Sequence, residues 1–195
     1  MTAWVQTADI ISWLGPDVTS IQAQDLADSA TAAVLSWIER DLTLGTFNET
    51  YDSNGTDYIL LDHWPIRTVT SVAINGEAPL MVAAFQKAGY ALDPLVSRKM
   101  RFPGRRIPRG VMNIAVNYSA GYDMTQPVAS TTGLPADVYK ALQLTAAAIY
   151  NAAAADPNLS SENTAGVFTG SFYQTGVGAV PPGARSLLER FKRVA

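Results

Sequence analysis

Residues 37–62, with the sequence WIERDLTLGTFNETYDSNGTDYILLD, contain the point at which the hydrophobic pattern of the chain changes. Before Gly45 the apolar residues recur at intervals of three and four, which is the spacing of a helix with one buried face. After Gly45 the pattern has a period of two, and Asn54-Gly55 lies between two such runs, which is a strong signal of a β-hairpin. We therefore predict a helix that stops at Gly45, followed by a hairpin of residues 46–52 and 57–62.

The residues before this point predict two helices. A short helix over 7–14 should end at Gly15-Pro16, because proline cannot continue a helix. Residues 19–22 (TSIQ) match a capping box, with a hydroxyl at the cap and a glutamine three residues later. The helix that begins there should run to about Leu44. Its predicted apolar face consists of Leu26, Ala30, Ala33, Val34, Trp37, Ile38 and Leu42.

Further strands are predicted after the hairpin. Residues 67–74 alternate between apolar and polar side chains and end at a second turn, Asn75-Gly76. Two short runs, 80–85 and 90–92, are candidates to pair with each other, and 111–118 is the last clear strand. The chain thus predicts an antiparallel β module of five or six short strands.

The last third of the chain returns to helical spacing. Pro135 and Asp137 favour the start of a helix, where a missing amide is harmless and negative charge is stabilised. That helix should end at Asp156-Pro157. Residues 158–180 are rich in glycine and serine, which predicts a flexible loop, although three aromatic residues also suit a segment that orders on a partner. A final short helix is predicted over 184–194.

These elements predict an α+β fold. Residues 1–45 and 123–195 would form a helical bundle built from both chain ends, and residues 46–122 would form the inserted antiparallel β module. Alanine-rich stretches in the predicted helices permit close packing of one helix on another. We therefore expect the helical parts to form the body of any assembly.

Composition excludes most catalytic chemistry. The 195 residues include no cysteine and one histidine, His63, so disulfides, thiol nucleophiles, thiolate zinc sites and multi-histidine metal sites are excluded. No phosphate-binding glycine loop is present, and neither a membrane-length apolar run nor a signal peptide is found. We predict no enzyme activity, no cofactor, no metal and no membrane partner. Only 16% of residues are charged, which suits surfaces buried against other subunits.

The densest charged feature is a basic segment, residues 98–109, which we predict to be a loop. It holds six of the fourteen basic residues of the chain and no acidic residue. Residues 1–62, in contrast, hold ten acidic residues and one basic residue. Three interpretations stay open: contact with a polyanion such as DNA, pairing with the acidic third of a neighbouring subunit, or a solvated hairpin tip. The basic residues are Arg98, Lys99, Arg101, Arg105, Arg106 and Arg109.

Four segments resemble, in this order, motifs of the head–tail connector (adaptor, or head-completion) proteins of long-tailed bacteriophages. They are residues 32–40 (AAVLSWIER), 60–76 (LLDHWPIRTVTSVAING), 116–122 (VNYSAGY) and 134–142 (LPADVYKAL). All four concern folding: Pro65 stiffens entry into a strand and Gly121 releases the chain from one. They therefore identify a scaffold and no active site.

This resemblance implies a structural virion protein. About twelve copies would form a ring beneath the portal, connect the head to the tail or neck, and form part of the DNA channel. The implied partners are other copies of the chain, the portal protein, the next neck or tail-completion protein, and packaged double-stranded DNA contacted weakly and without sequence specificity. The implied location is the head–tail junction of a virion assembled in the host cytoplasm.

The basic C-terminal helix is a hypothetical portal-docking element. The residues assigned to it are Arg185, Leu187, Leu188, Arg190, Phe191, Lys192 and Arg193. Two other functional classes stay open from the residues alone. One is a nucleic-acid-binding module that uses residues 98–109, and the other is a carbohydrate-binding or enzymatic module on the β insert.

Overall fold

The structure, a computed structural model, describes residues 4–78, 89–93, 98–104, 106–154, 161–164, 168–171 and 180–192. The chain divides into two compact units. We call Met1–Asp41 with Thr125–Ala195 the helical unit, and Leu42–Met124 the β unit. The predicted α+β fold class is confirmed, because helices and antiparallel sheets are both present.

Four α-helices lie in the described part of the helical unit. They are α1 (Thr7–Leu14), α2 (Ser20–Ile38), α3 (Ala136–Ala154) and α4 (Pro182–Leu188), with a 3-10 turn at Glu189–Phe191. Helix α2 packs against α1 and α3, and α3 also packs against α4. The core of this unit includes Leu26, Ala30, Val34 and Ile38 of α2 and Val138, Leu142 and Ala146 of α3.

The start of α2 is as predicted, but its end is not. The backbone amide of Gln22 donates to the Thr19 hydroxyl (3.3 Å), and the Gln22 side chain accepts from the Thr19 amide (3.0 Å). The helix ends at Ile38, six residues before the predicted Leu44, because Glu39 adopts a left-handed conformation with φ of 59°. Leu42 is fully buried, but it belongs to the β unit.

The described residues of the β unit form two three-stranded antiparallel sheets. The first has the order β1 (Gly45–Ser53), β6 (Gly110–Ala120), β3 (Ile66–Ile74). The second has the order β2 (Tyr58–Leu60), β5 (Lys99–Arg101), β4 (Ala91–Leu92). Both contribute to one hydrophobic core, formed by Ile59, Leu61, Val72, Ile74, Tyr90, Met100, Phe102, Ile107, Ile114, Val116, Tyr118 and Ala120.

The predicted hairpin at Asn54-Gly55 is wrong in its pairing, although a turn is present. Gly55 has φ of 81°, and the chain bends there. However, β1 pairs with β6 and β2 pairs with β5, so this turn joins two sheets. The second predicted turn, Asn75-Gly76, is confirmed, since Ile74 and Glu77 exchange backbone hydrogen bonds of 2.7 and 3.0 Å across it. The predicted strand 80–85 lies outside the described residues.

The segment predicted as a flexible loop contains a hairpin. Strands β7 (Ser161–Thr164) and β8 (Phe168–Ser171) pair in antiparallel register, from Ser161 opposite Ser171 to Thr164 opposite Phe168. The glycine and serine content of the segment gave no signal of these two short strands. Most of the remaining positions in 158–180 lie outside the described residues. Within the part of the chain that is described, no helix is long and apolar enough to cross a bilayer.

Candidate functional site

The basic segment begins in the second sheet. Lys99–Arg101 forms β5, the middle strand, so the prediction of a loop over 98–109 is wrong for these three residues. Met100 is fully buried in the core. Because side chains alternate along a strand, Lys99 and Arg101 lie on the opposite face of the sheet. Tyr58 and Leu60, their partners on β2, are exposed on that same face.

Three cations of the basic segment have partners within the β unit. The Arg98 guanidinium lies 5.2 Å from the ring centre of Trp64, and the Lys99 ammonium lies 4.1 Å from that of Tyr58. Nε of Arg101 lies 2.7 Å from a carboxylate oxygen of Asp93, which is itself buried. These contacts order the three cations against the sheet, and Asp93 also balances the charge of Arg101.

The other described cations of the segment lie beyond the sheet. Arg106 and Arg109 are both exposed. Nε of Arg109 donates to the backbone oxygen of Asn54 (3.2 Å). Its side chain also covers Gly55, where an added Cβ would lie 3.2 Å from Cγ of Arg109. Arg105 lies outside the described residues. The segment therefore divides into a sheet face and a separate exposed pair.

The predicted portal-docking residues differ in exposure. Leu188 and Phe191 are buried within the helical unit and Leu187 is half-buried, so the apolar part of the predicted surface is largely core. Arg190 forms an ion pair of 2.7 Å with Asp137, and Nε of Arg185 donates to the Val180 oxygen (2.8 Å). The Lys192 ammonium lies 5.1 Å from the ring centre of Trp37. Arg193 lies outside the described residues.

A polar cluster that the sequence did not predict surrounds His63. Nδ1 of His63 lies 2.9 Å from Oε1 of Glu49, and its ring stacks on Phe47 at 3.7 Å. The other oxygen of Glu49 accepts hydrogen bonds from the hydroxyls of Tyr51 and Tyr118. The sequence signal that could have indicated this cluster is the alternation of side chains along β1, which places Phe47, Glu49 and Tyr51 on one face of the strand.

The cluster fixes the segment that connects β2 to β3. The backbone amide of Asp62 donates to the Tyr51 hydroxyl (3.1 Å), and that of His63 donates to the Tyr118 hydroxyl (3.2 Å). Burial raises the pKa of both phenols above the ordinary value, and their hydrogen bonds to Glu49 raise it further. Both tyrosines therefore stay protonated and donate to the carboxylate.

The geometry of the cluster around His63 suits a structural role, because its polar groups bind one another and the nearby backbone. A nearby recess of about 270 Å³ is lined by Tyr51 and Tyr58 but not by Glu49 or His63. A general acid–base pair needs a substrate group within hydrogen-bond reach. Here one oxygen of Glu49 is occupied by two phenols and the other faces His63. Among the described residues, no group of three His, Cys, Asp or Glu side chains is placed to hold a metal ion.

Comparison with solved structures finds chains of the same fold. A chain from the neck of the empty GTA particle, determined with C6 symmetry, is 21% identical, with a TM-score of 0.56 over 100% of this chain and 94% of its own. A chain from the neck of the native GTA particle, determined with C12 symmetry, is 21% identical, with a TM-score of 0.52 at the same coverages. No protein-family model matches this chain, and the comparison with curated proteins finds no match.

A third match extends the same result. A chain from the virion of the native gene transfer agent (GTA) particle is 21% identical, covers 98% of this chain and 90% of its own, and has a TM-score of 0.55. This likeness establishes a shared fold along nearly the whole chain. At the level of the fold, it confirms the predicted resemblance to head–tail connector proteins.

Proposed function

We propose that this chain is a structural subunit of the neck of a phage-like particle, and that copies of it form a ring. The observation that carries the proposal is the shared fold with chains from particle necks, which spans 100% of this chain and 94% of the neck chain. A match of that extent includes both units of the chain, so it concerns the whole scaffold rather than one common motif.

The features of the site support a structural role without catalysis. His63 and Glu49 belong to a polar cluster whose two tyrosine hydroxyls anchor the backbone of residues 62 and 63. The cations Arg98, Lys99 and Arg101 are held against the second sheet. An autonomous nucleic-acid-binding module would instead keep such residues directed at phosphates.

The finer assignment is a ring of about twelve copies beneath the portal. The C12 symmetry of one matching neck particle supports this copy number. In such a ring, the chain would contact the portal on one side and the next neck or tail-completion protein on the other. Duplex DNA would pass through the centre, touched weakly and without sequence specificity, in a virion assembled in the host cytoplasm.

The test is assembly with the portal. Purified chain would be examined by native mass spectrometry over a concentration range, alone and with portal rings from the same particle. We expect a complex of about twelve chains per portal ring, and electron microscopy should show the added density on one face of the portal. A chain that never associates with the portal and forms no ring would overturn the proposal.

The control separates specific docking from charge attraction. An unrelated protein of similar size and net charge near −3 would be mixed with the same portal rings. It should give no complex at any ionic strength at which the chain itself binds. Equal binding of both proteins would show that the portal interaction is nonspecific, and it would contradict the assignment.

A further inference from the structure

A β-bulge at the start of β6 holds two apolar side chains in solvent. The register between β1 and β6 shifts after Tyr51, and Met112 has φ of 49°, a left-handed value that is uncommon for a residue with a side chain. The amide of Met112 donates to Asp52 Oδ1 (2.6 Å). Val111 is 81% exposed and Met112 is 66% exposed.

The backbone around this bulge is fixed by one side chain. Asn113 donates through Nδ2 to the Pro108 oxygen (2.9 Å) and accepts through Oδ1 from the Ser53 amide (3.1 Å). Its own backbone oxygen accepts from the Asn75 amide (2.8 Å). The apolar pair is thus presented on an ordered support, which lowers the entropy cost of binding a partner. We call Val111 and Met112 the apolar tip.

The helical unit offers a complementary surface. A groove between α2 and α3, with a volume of about 360 Å³, is lined by Gln22, Asp25, Leu26, Tyr150 and Ala153. Ile21, which precedes the first of these residues, is 75% exposed. Helix α2 contains two acidic residues, Asp25 and Asp28, and no basic residue, so the α2 side of this groove is acidic. The apolar tip, in contrast, follows the exposed basic residues Arg106 and Arg109.

We propose that the apolar tip of one copy docks in the α2–α3 groove of a second copy of this chain. Val111 and Met112 would be covered by Leu26 and Tyr150, and Arg106 would face Asp25. Apolar contact would then lie at the centre and complementary charge at the rim, as in stable protein interfaces.

Such a contact joins two different surfaces, so it is head-to-tail, and its repetition closes a ring when the rotation between copies allows. In that respect the inference rests on the proposed neck function. It also specifies which surfaces of the chain make the ring contact.

Introduced cysteines test the contact directly, because the chain has none of its own. A disulfide requires Cα atoms within about 7 Å of each other. We expect a Val111→Cys, Ala153→Cys chain to give a ladder of disulfide-linked oligomers on oxidation, while either single variant gives no ladder. The matched control, Val111→Cys with Ser186→Cys, should give none. Absence of the first ladder, or an equal ladder in the control, overturns the inference.

Surface variants test its energetics in solution. Val111→Thr with Met112→Asn removes the apolar tip, and asparagine tolerates the left-handed backbone. We expect the concentration needed for self-association to rise at least tenfold, with an unchanged circular dichroism spectrum. Leu60→Thr, at a 40% exposed position on β2, is the control and should leave association unchanged. Unchanged association of the tip variant overturns the inference.

A charge exchange identifies the partner as a second copy. Arg106→Glu and Asp25→Lys should each weaken association at least fivefold, and the double variant should return to within about threefold of the original chain. A double variant that associates no better than the singles overturns the pairing. If none of these variants changes association but the chain still forms a ring on the portal, only the proposed contact is overturned. If the chain also fails to bind the portal, the proposed function is overturned as well.

Discussion

Tyr118 shows how one buried side chain organises the β unit. It is fully buried, yet its hydroxyl donates to Glu49 and accepts from the His63 amide. Because burial raises the pKa of the Tyr118 hydroxyl, this hydroxyl stays protonated at neutral pH and continues to donate its hydrogen bond to Glu49. The same residue therefore contributes to the hydrophobic core and anchors the connection between β2 and β3.

Replacement of this hydroxyl should change both stability and its pH dependence. Tyr118→Phe leaves Glu49 and the His63 amide short of a partner, so we expect a loss of about 1–3 kcal/mol of unfolding free energy. The raised pKa favours the protonated phenol in the folded state. Its stabilising contribution is therefore complete below pH 10 and is lost as the pH rises further, at about 1.4 kcal/mol per pH unit.

Urea unfolding at pH 8, 9, 10 and 11 would measure both effects. The original chain should lose stability more steeply above pH 10 than Tyr118→Phe, since the variant lacks one of the titrating groups. Tyr58→Phe is the control, because Tyr58 is exposed on the outer face of β2. Parallel pH profiles for the original chain and Tyr118→Phe would contradict this account.

Two glycines with similar backbone angles should differ strongly in their tolerance of substitution. Gly121 and Gly76 have φ of 107° and 84°, so alanine is strained at both positions. A Cβ at Gly121 would lie 2.5 Å from the backbone oxygen of Thr43, whereas one at Gly76 would meet no atom within 4 Å. We expect Gly76→Ala to cost about 1–2 kcal/mol and Gly121→Ala to exceed about 3 kcal/mol.

Thermal and urea unfolding of the two variants would test this difference. The shared positive φ makes Gly76→Ala the matched control, since it carries the backbone strain without the clash. Equal destabilisation by both substitutions would mean that the approach of Thr43 to Gly121 is not a constraint on the fold.

At the scale of elements, the sequence predicted correctly those caps and turns that are formed by residues close to one another along the chain. The capping box at Thr19 and the turn at Asn75-Gly76 involve residues close in sequence, and both are confirmed. The end of α2 was mispredicted because Leu42 continues the helical spacing while it is buried in the β unit. Its burial depends on packing that no local pattern specifies.

The pairing of strands was the other feature that the sequence did not predict. Asn54-Gly55 predicted a turn, but β1 pairs with a strand that begins 57 residues after it ends, at Gly110. The same limit applies to the candidate site: the count of basic residues found residues 98–109, whereas their contacts with Trp64, Tyr58 and Asp93 depend on the second sheet. Glu49 was missed as the partner of His63 because the two are fourteen positions apart on different elements.

At the scale of the whole molecule, each unit has its own core, and this affects how portal docking can be tested. Helix α4 packs on α3, and Ala184 and Leu188 are both fully buried. Removal of the C-terminal helix would therefore unfold part of the helical unit as well as delete a candidate surface. Point substitutions of its exposed cations, such as Arg185, are the cleaner test of docking.

The burial of Leu188 itself gives the last prediction. Leu188→Ala should lower the unfolding free energy of the helical unit by about 2–5 kcal/mol, since it leaves a cavity under α4. Leu187→Ala, next to it and only half-buried, should cost less than half as much. Amide hydrogen exchange followed by mass spectrometry would report on the two units separately. In Leu188→Ala we expect faster exchange than in the original chain in α3 and α4, and unchanged exchange in β6. If Leu188→Ala left exchange in α3 unchanged, the C-terminal helix would not be part of this core, and its apolar residues would again be candidates for docking.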